Sequence, residues 1–396
     1  GTENGWDSSY GDGQAVFTQP FSINTSYITF DGVIGSGSDP NTYGFRIATP
    51  TNCNQANRMF GVPNIGYSSS TVSNVTVSHV AIVNCGSAYD YTQIGIYSYS
   101  SNPITNITIS YNYIKDNNSN MLIRGWSNST ITDNYFAGNW SSAANHGTQI
   151  SPGNACNDIV LKNNIFKDSN GTAAVSVHKS NNNRWKVFNN LIIGGTIALG
   201  IGNGDSATID VMKSWEFHHN TFVDVLLGSQ GAFFVGNLTN VSADKSYAYN
   251  NLFYNTRHPN LNNAGWTAGA IVHTHNAHYN STGIYDSSEG GTAVNTTGDP
   301  FVNSAEGNYH LKIRTKTGKV LASPYNIDKD GNTRGASVPG IWDIRDRGAY
   351  RYSPGYSPVP NSPAGYSPGP SAPSPGPGAP PAGSKDRRVI KIKQTL

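Results

Sequence analysis

Arg124 and His178 are the two side chains whose positions in this sequence most favour acid–base chemistry. Each follows the last predicted buried residue of an alternating stretch, NMLIRG for the arginine and AAVSVHK for the histidine. The same position in successive stretches defines a column that consists of Arg124, Ser151, His178, Gly202, Gly236 and His273. An arginine there can bind a carboxylate or act as a base, and a histidine exchanges a proton near neutral pH. We predict that Arg124, His178 and the adjacent Lys179 are catalytic.

Three histidines close together raise the question of a metal site; they are His273, His275 and His278. In a strand, residues 273 and 275 point the same way, so two ligands are geometrically possible. No carboxylate or cysteine lies within a few residues to complete a tetrahedral site. Glu216 with His218 and His219 is a weaker case, since His219 points to the opposite face. We predict neither a metal nor a cofactor.

The elements that must position these side chains repeat along the chain. Stretches of alternating apolar and polar residues recur with a period of 22 to 31 residues and without a helical pattern. Such alternation is typical of strands with one buried face, and this period predicts the stacked coils of a β-solenoid. At about 1.5–3 kcal/mol per large buried side chain, several are needed per coil. The predicted inward-facing residues include Ile107, Ile109, Ile114, Ile131, Phe136, Ile159, Leu161 and Phe166.

A short block that begins with asparagine marks each repeat. Its asparagines are Asn112, Asn134, Asn164, Asn190, Asn220 and Asn251, each followed two residues later by isoleucine or phenylalanine. Asparagine tolerates left-handed backbone geometry and hydrogen-bonds neighbouring backbone groups, which suits a sharp corner between strands. We predict that these asparagines turn the chain and that their stacked side chains bond one another in a ladder. The block is therefore interpreted as scaffold and not as a repeated binding site.

Composition limits the classes of function. The formal net charge is +2, charged residues make up 13% of the chain, and five basic side chains lie within residues 384–396. The remaining body carries no basic stripe, which argues against a nucleic-acid partner. No run of about 18 apolar residues is present, so no membrane span is predicted. Cys53 and Cys85 lie about one repeat apart and could pair or remain free, whereas Cys156 is expected to be a free, buried thiol.

The C-terminal part of the sequence differs abruptly from the rest. Residues 353–383 are rich in proline, serine and glycine and are predicted to form a linker, because proline fixes φ and removes a backbone donor. Residues 384–396 contain alternating apolar and basic side chains, which predicts a basic amphipathic strand that needs a sheet to join. We expect this strand to pair with the chain's own end or with another copy. The body, residues 1–352, is predicted to be the solenoid, with an N-terminal cap region and C-terminal closing strands.

The coil pattern and the end of the body resemble the right-handed parallel β-helix proteins of the pectate-lyase-like superfamily. Many secreted members close with an Asp-Gly-Asn-x-Arg segment and a Gly-Ala-Tyr strand, similar to residues 330–334 and 348–350 here. The charged link at residues 343–347 is longer than usual. The resemblance implies an all-β fold, a right-handed parallel β-helix (β-solenoid) with a Pro-rich C-terminal extension. It also implies a secreted location and a polysaccharide partner bound along one sheet.

The same resemblance implies how a glycan would be bound and which reactions are disfavoured. The predicted substrate-binding residues are Tyr97, Trp126, Trp140, His146 and His273, with the aromatic rings stacking on sugar rings. The signatures of the polygalacturonase branch are absent and the aspartates are scattered, so hydrolysis by paired carboxylates is disfavoured. Residues 328–332 resemble half of a calcium loop, but the glycine comes early and Pro339 stands where a closing glutamate is expected. A polar turn is favoured there.

Two functions remain open from the sequence. The first is lyase-like action on an acidic glycan, with Arg124 and His178 on the exposed face of one sheet. The second is a non-catalytic protein of a cell surface, extracellular matrix or filament, self-assembling through residues 384–396. The scarcity of carboxylates and the tail favour the second function, whereas the resemblance favours the first. Exposed arginine and histidine on a solenoid face can also be merely solvated.

Overall fold

Parallel sheets dominate the structure, and their coils stack into the predicted right-handed parallel β-helix. The computed structural model describes residues 13–18, 21–48, 60–61, 63–66, 70–83, 93–139, 147–177, 181–201, 213–226, 232–235, 244–257, 271–281, 294–334, 346–352 and 388–389. Within these ranges, no helix has the length and apolar character needed to cross a membrane. Single 3-10 turns are found at Pro40–Thr42 and Ser304–Glu306.

The strands are short, except for two that continue around a corner of the coil. In chain order they begin with β1 (Ala15–Phe17), β2 (Ser22–Ile23), β3 (Ile28–Asp31), β4 (Phe45–Ala48), β5 (Phe60–Gly61), β6 (Asn64–Ile65), β7 (Val72–Ser78), β8 (Val80–Val83), β9 (Gln93–Ser110) and β10 (Tyr113–Asn117). They continue with β11 (Ser119–Thr132), β12 (Tyr135–Asn139), β13 (Thr148–Pro152), β14 (Asn157–Lys162), β15 (Ile165–Ser169), β16 (Ala173–Val177), β17 (Lys186–Phe188), β18 (Leu191–Ile193), β19 (Leu199–Ile201) and β20 (Glu216–His218). They end with β21 (Thr221–Val223), β22 (Phe233–Val235), β23 (Ser246–Tyr249), β24 (Leu252–Tyr254), β25 (Ile271–Thr274), β26 (Ala277–Tyr279), β27 (Val294–Thr296), β28 (Phe301–Asn303), β29 (Asn308–Leu311) and β30 (Arg388–Val389).

Each coil has three faces. Face A consists of β1, β4, β8, β10, β12, β15, β18, β21, β24, β26 and β27. Face B consists of β2, β5, β6, the first halves of β9 and β11, and then β13, β16, β19 and β22. Face C consists of β3, β7, the second halves of β9 and β11, and then β14, β17, β20, β23 and β25. Because β9 and β11 belong to both, faces B and C form one continuous sheet.

Inward-facing side chains at the same register position form apolar ladders along the solenoid. On face A, Phe136 is level with Phe166, and the two rings stack with centroids 4.9 Å apart. On face C, Ile131 is level with Leu161. All eight residues that the sequence predicted to face the core are buried, with at most 1% of the side chain exposed. This burial is the main source of stability, because each large apolar side chain contributes about 1.5–3 kcal/mol.

The asparagine that starts each block is buried at the corner between faces C and A, where it bonds the asparagine of the next coil. The backbone N–H of Asn164 and its Nδ2 both donate to Oδ1 of Asn190, at 3.0 and 3.1 Å. The same pattern joins Asn112, Asn134, Asn164, Asn190, Asn220, Asn251 and Asn276. The predicted ladder is confirmed, and Asn276 extends it beyond the predicted blocks.

The left-handed residue at each of these corners is the one before the ladder asparagine. The prediction that the asparagine itself adopts this geometry is wrong, since φ is 56° at Asn163 and 55° at His219. The residues in this position are Tyr111, Asp133, Asn163, Asn189, His219, Asn250 and His275. The two tasks of the corner are thus divided: one residue turns the backbone and the next supplies the hydrogen bonds.

A segment near the C-terminal end of the body packs back onto the coils and is held by buried charges. Arg334 donates to the backbone oxygen of Asp346 at 3.0 Å and to that of Ala349 at 2.7 Å. A carboxylate oxygen of Asp328 accepts a hydrogen bond from the backbone N–H of Asn332 at 2.7 Å. The Asp-Gly-Asn-Thr-Arg segment is therefore a turn with a buried arginine clamp, in agreement with the polar turn favoured at residues 328–332.

The tail contributes one strand to the described structure. Arg388 is level with Ile28 and Val389 with Thr29, so β30 pairs in parallel with β3. Since β3 pairs with β7 on its other side, β30 adds a strand at the N-terminal edge of face C. The predicted linker at residues 353–383 lies outside the described residues.

Candidate functional site

Arg124 lies on the outer side of face B, where β11 bends toward face C. Ile123 before it is fully buried, and strand alternation directs Arg124 outward, where its side chain is half-buried. The register with β9 shifts between Arg124 and Trp126. Gly125 between them has φ 72°, a left-handed conformation that glycine adopts without steric cost. The bend therefore presents Arg124 at an edge of the solenoid.

The next coil presents a glycine beside Arg124. The backbone N–H of Gly153 donates to the oxygen of Ile123 at 2.6 Å, and that of Gly125 donates to the oxygen of Asn154 at 3.0 Å. A Cβ on Gly153 would lie 3.3 Å from the Cβ of Arg124, so a larger residue would press on the arginine. Gly153 was not among the predicted site residues. In the sequence it is marked only by its position after Pro152, and the structure pairs Pro152 with Ile123.

The register of face B relates Arg124 to the strand that precedes His178. Ile150 pairs with Val175, which puts Pro152 level with Val177, the residue before His178. Ser151 pairs with Leu122, so its predicted place in the column with Arg124 was wrong. Four predicted site residues lie outside the described residues: Trp140, His146, His178 and Lys179.

Two aromatic residues predicted to stack on sugar rings are buried. Trp126 is fully buried, and its Nε1 donates to Oγ of Ser98 at 2.7 Å. The prediction for Trp126 is wrong, because the bend after Arg124 turns this side chain into the core. Tyr97 lies on the outer side of face B but is only 7% exposed, which leaves its ring no surface for a sugar.

His273 belongs to a different sheet from Arg124. It is level with Ala248 on face C, in the inward ladder that also contains Phe217. The side chain is 6% exposed. The prediction that His273 binds substrate in the column of Arg124 is therefore wrong, since its alternating stretch forms face C and its side chain points into the solenoid.

The charge of Arg124 affects the pKa of a buried thiol, that of Cys156. Burial raises the pKa of Cys156 to about 12, although backbone hydrogen bonds at Trp126 and Gly125 and the charge of Arg124 act in the opposite direction. Cys156 is free and fully buried, as predicted. It remains protonated and is no nucleophile. Cys53 and Cys85, whose pairing was left open, lie outside the described residues.

A carboxylate, a histidine and a tyrosine meet on the outer side of face C. A carboxylate oxygen of Glu216 lies 3.5 Å from Nε2 of His218 and accepts a hydrogen bond from the hydroxyl of Tyr325. The hydrogen bond with His218 lowers the pKa of Glu216, burial opposes it, and the bond from Tyr325 adds to the lowering. Because His218 and Tyr325 are buried, this cluster anchors Tyr325, and with it the segment near the C-terminal end of the body, to face C. Over the described ranges, no group of three or more histidine, cysteine, aspartate or glutamate side chains could hold a metal ion.

Comparison with known proteins concerns the fold. No protein-family model and no curated protein matches the sequence. Similar solved structures include pectate lyase Pel9A, with 13% identity, a TM-score of 0.41, and coverage of 88% of this chain and 85% of that one. A complex of XylC with xylose has 12% identity and a TM-score of 0.36, with 65% of this chain covered. This chain spans about half of the XylC chain, 52%.

A third similar structure is a PL6 alginate lyase complex with a trisaccharide. It has 9% identity and a TM-score of 0.29, with coverage of 73% of this chain and 80% of that one. The fold rests on the sheets themselves, which are parallel, stack coil on coil from β1 to β27 and share one asparagine corner. The chain is a right-handed parallel β-helix, the fold that its sequence predicted.

Proposed function

We propose that the chain is a secreted protein that binds an acidic polysaccharide and cleaves it by a lyase-like elimination on the outer side of face B. The observation that supports this most directly is the position of Arg124, half-exposed at the bend of β11 and beside Gly153. A guanidinium in such a place is suited to hold the carboxylate of a uronate through two parallel hydrogen bonds.

The proposed reaction proceeds by removal of the proton on C5 of the uronate. Arg124 holds the adjacent carboxylate and makes that proton more acidic, and His178 takes it as a neutral imidazole. The electron pair of the C5–H bond forms the C4–C5 double bond as the C4–O4 bond breaks. O4 leaves and takes a proton from water. Lys179 adds positive charge near the carboxylate, and Trp140 and His146 contact further sugar units.

Incubation of the full chain with polyuronides and neutral glycans tests this function. We expect at least one polyuronide to yield ends with the unsaturated bond, detected by ultraviolet absorbance and mass spectrometry, and no neutral glycan to be cleaved. Cleavage of a polyuronide that leaves only saturated non-reducing ends would show hydrolysis and overturn the elimination. The absence of cleavage across the panel would overturn the function.

The second candidate is a non-catalytic protein of a cell surface, matrix or filament. The pairing of β30 with β3 favours it, because an edge that accepts this strand from its own chain can accept it from a second copy. Light scattering after size-exclusion chromatography would compare the full chain with a chain ending at Tyr352. This candidate requires oligomers of the full chain that the shorter chain does not form, and equal masses would rule it out.

A further inference from the structure

The outer side of face C carries uncharged hydrogen-bonding side chains at equivalent positions in four successive coils. These coils contribute β3, β7 and the second halves of β9 and β11 to the face. Where the chain enters the face, its sequence is SYIT, SNVT, TNIT and SNST, starting at residues 26, 73, 105 and 127. The repeated motif therefore places similar chemical groups on the surface in every one of these coils.

The last residue of each motif is a threonine that points outward. Thr29 is level with Thr76, Thr76 with Thr108, and Thr108 with Thr130. Because neighbouring strands of a sheet lie about 4.8 Å apart, the four side chains form a file with that repeat. All four are partly exposed, and their hydroxyls make no hydrogen bond to other described residues. Each threonine thus offers a hydroxyl and a methyl group to a ligand.

Two further files run beside the threonines. Ser73, Thr105 and Ser127 are level with one another, and Oγ of Ser73 lies 3.2 Å from Oγ of Ser26. Between this file and the threonines lie the exposed residues Asn74, Asn106 and Asn128. Nδ2 of Asn106 donates to Oδ1 of Asn74 at 3.4 Å, so the amides also contact one another from coil to coil. We call the three files the polar array.

The polar array is not a requirement of the fold. In later coils the file of Thr130 continues with Val160, Lys186, Glu216 and Tyr247. The solenoid therefore tolerates aliphatic, charged and aromatic side chains at this position. The repeat of one uncharged residue type through four coils calls for an explanation beyond strand pairing.

The composition of the array limits its partner. The three files contain no charged side chain, so an ionic polymer would find no counter-charge there. Sugar rings are usually bound against exposed aromatic rings, and the array has one, Tyr27 in its first coil, which is 43% exposed. A partner that contacts hydroxyl and methyl groups along the whole file must itself repeat at about the strand spacing.

We propose that the polar array binds the surface of ice. Rows of oxygen atoms in ice have a repeat close to the strand spacing, so each coil meets an equivalent part of the lattice. The threonine hydroxyls hydrogen-bond to lattice water, and the methyl groups hold the adjacent water in restricted orientations. Many weak contacts made together by one surface reinforce one another. The array lies on a different face from Arg124, and its role does not depend on cleavage of a glycan.

Thermal hysteresis and inhibition of ice recrystallisation by the full chain test this proposal. We expect the unmodified chain to stop the growth of ice crystals just below the melting point. Thr108→Lys should abolish most of this hysteresis, because a strongly hydrated ammonium then stands in the middle of the file. Lysine is compatible with the position, since Lys186 occupies it in the coil of β17. Circular dichroism at the temperature of the assay shows whether the variant is folded.

Val272→Lys is the matched control. Val272 lies in the same file as Thr108, partly exposed and level with Tyr247, but in the coil of β25 and beyond the polar array. Hysteresis should be unchanged in this variant. Val160→Thr, in contrast, adds a fifth threonine beside Thr130 with little change in volume, and should increase the hysteresis.

The outcomes separate ice from other partners and from the proposed function. Thr108→Lys should cleave a polyuronide like the unmodified chain, since Thr108 lies outside the proposed catalytic site. Absence of ice activity in the unmodified chain, or equal ice activity in Thr108→Lys, would overturn the proposal. Retention on crystalline cellulose or chitin that Thr108→Lys abolishes, in a chain without ice activity, would overturn it in favour of a glycan lattice.

Discussion

Asn164 donates two hydrogen bonds to a single atom, Oδ1 of Asn190, from its backbone N–H at 3.0 Å and from its Nδ2 at 3.1 Å. Nδ2 also donates to the backbone oxygen of Ile131 at 2.9 Å. Both asparagines are buried, so these backbone groups have no access to water. Each rung of the ladder thus satisfies groups that a tight corner between two strands would otherwise leave unpaired.

Replacing a rung should therefore cost more than the loss of one side chain. Asn164→Leu leaves the backbone N–H and Nδ2 of Asn134 and the oxygen of Ile131 without their bonds to Asn164. At about 1–3 kcal/mol for each buried unsatisfied group, we expect the free energy of unfolding to fall by about 3 kcal/mol or more. Urea denaturation measures this change.

Asn170→Leu is the control for the ladder, because Asn170 is exposed one strand later. Its free energy of unfolding should stay within about 0.5 kcal/mol of the unmodified chain. If the two variants unfolded at the same urea concentration, the ladder would not be the main determinant of the corner.

His219 should make the protein sensitive to mild acid. Burial, and then the charges of Arg334 and His218, hold the pKa of His219 well below its usual value of 6.5. Below about pH 6.5 the unfolded chain therefore binds more protons than the folded one, so stability falls as the pH falls. The contact between Nδ2 of Asn250 and Nε2 of His219, at 3.2 Å, also requires an unprotonated acceptor.

The test is the pH dependence of thermal unfolding between about pH 7 and pH 5, the range in which an ordinary histidine titrates. His219→Asn should reduce the loss of stability on acidification, and asparagine suits the backbone there, where φ is 55°. His275→Asn is the control, since His275 has φ 59° at the equivalent corner but lies at a half-buried position. A loss equally large in His219→Asn and in the unmodified chain would contradict this assignment.

Trp126 should matter for stability and not for sugar binding. Trp126→Phe removes the donor to Oγ of Ser98 and part of a fully buried ring. We expect a loss of about 1–3 kcal/mol in the free energy of unfolding, with KM for a cleaved polysaccharide unchanged at a temperature where the variant is folded. A raised KM with unchanged stability would restore the role that the sequence suggested for this tryptophan.

Local patterns in the sequence predicted the coil and its core. Alternation identified inward residues such as Ile131 and Phe166, and the recurring block identified the asparagine ladder, because both repeat with each coil. The same patterns misassigned the corner geometry. Asparagine tolerates left-handed φ, but the left-handed residue is Asn163, and Asn164, between β14 and β15, supplies the hydrogen bonds of the corner instead.

The site was harder to predict, because alternation does not reveal which sheet a strand joins. His273 follows the same local pattern as Arg124, but its strand pairs on face C. Contacts between residues that are far apart in the sequence leave no pattern in the local sequence. The hydrogen bond from Tyr325 to Glu216 joins residues 109 positions apart. Ser38 and Tyr309, near opposite ends of the body, line one cleft on face A.

The rate of polyuronide cleavage by Arg124→Ala, beside Arg184→Ala, tests the central claim most directly. Arg184 is a surface arginine whose Nε lies 2.6 Å from a carboxylate oxygen of Asp158. Its replacement by alanine removes the same charge as Arg124→Ala, but away from the proposed site. We predict that kcat/KM falls by about two orders of magnitude or more in Arg124→Ala and is unchanged in Arg184→Ala, because the carboxylate is no longer held during proton removal. Equal cleavage by the two variants would contradict the assignment of the site to Arg124.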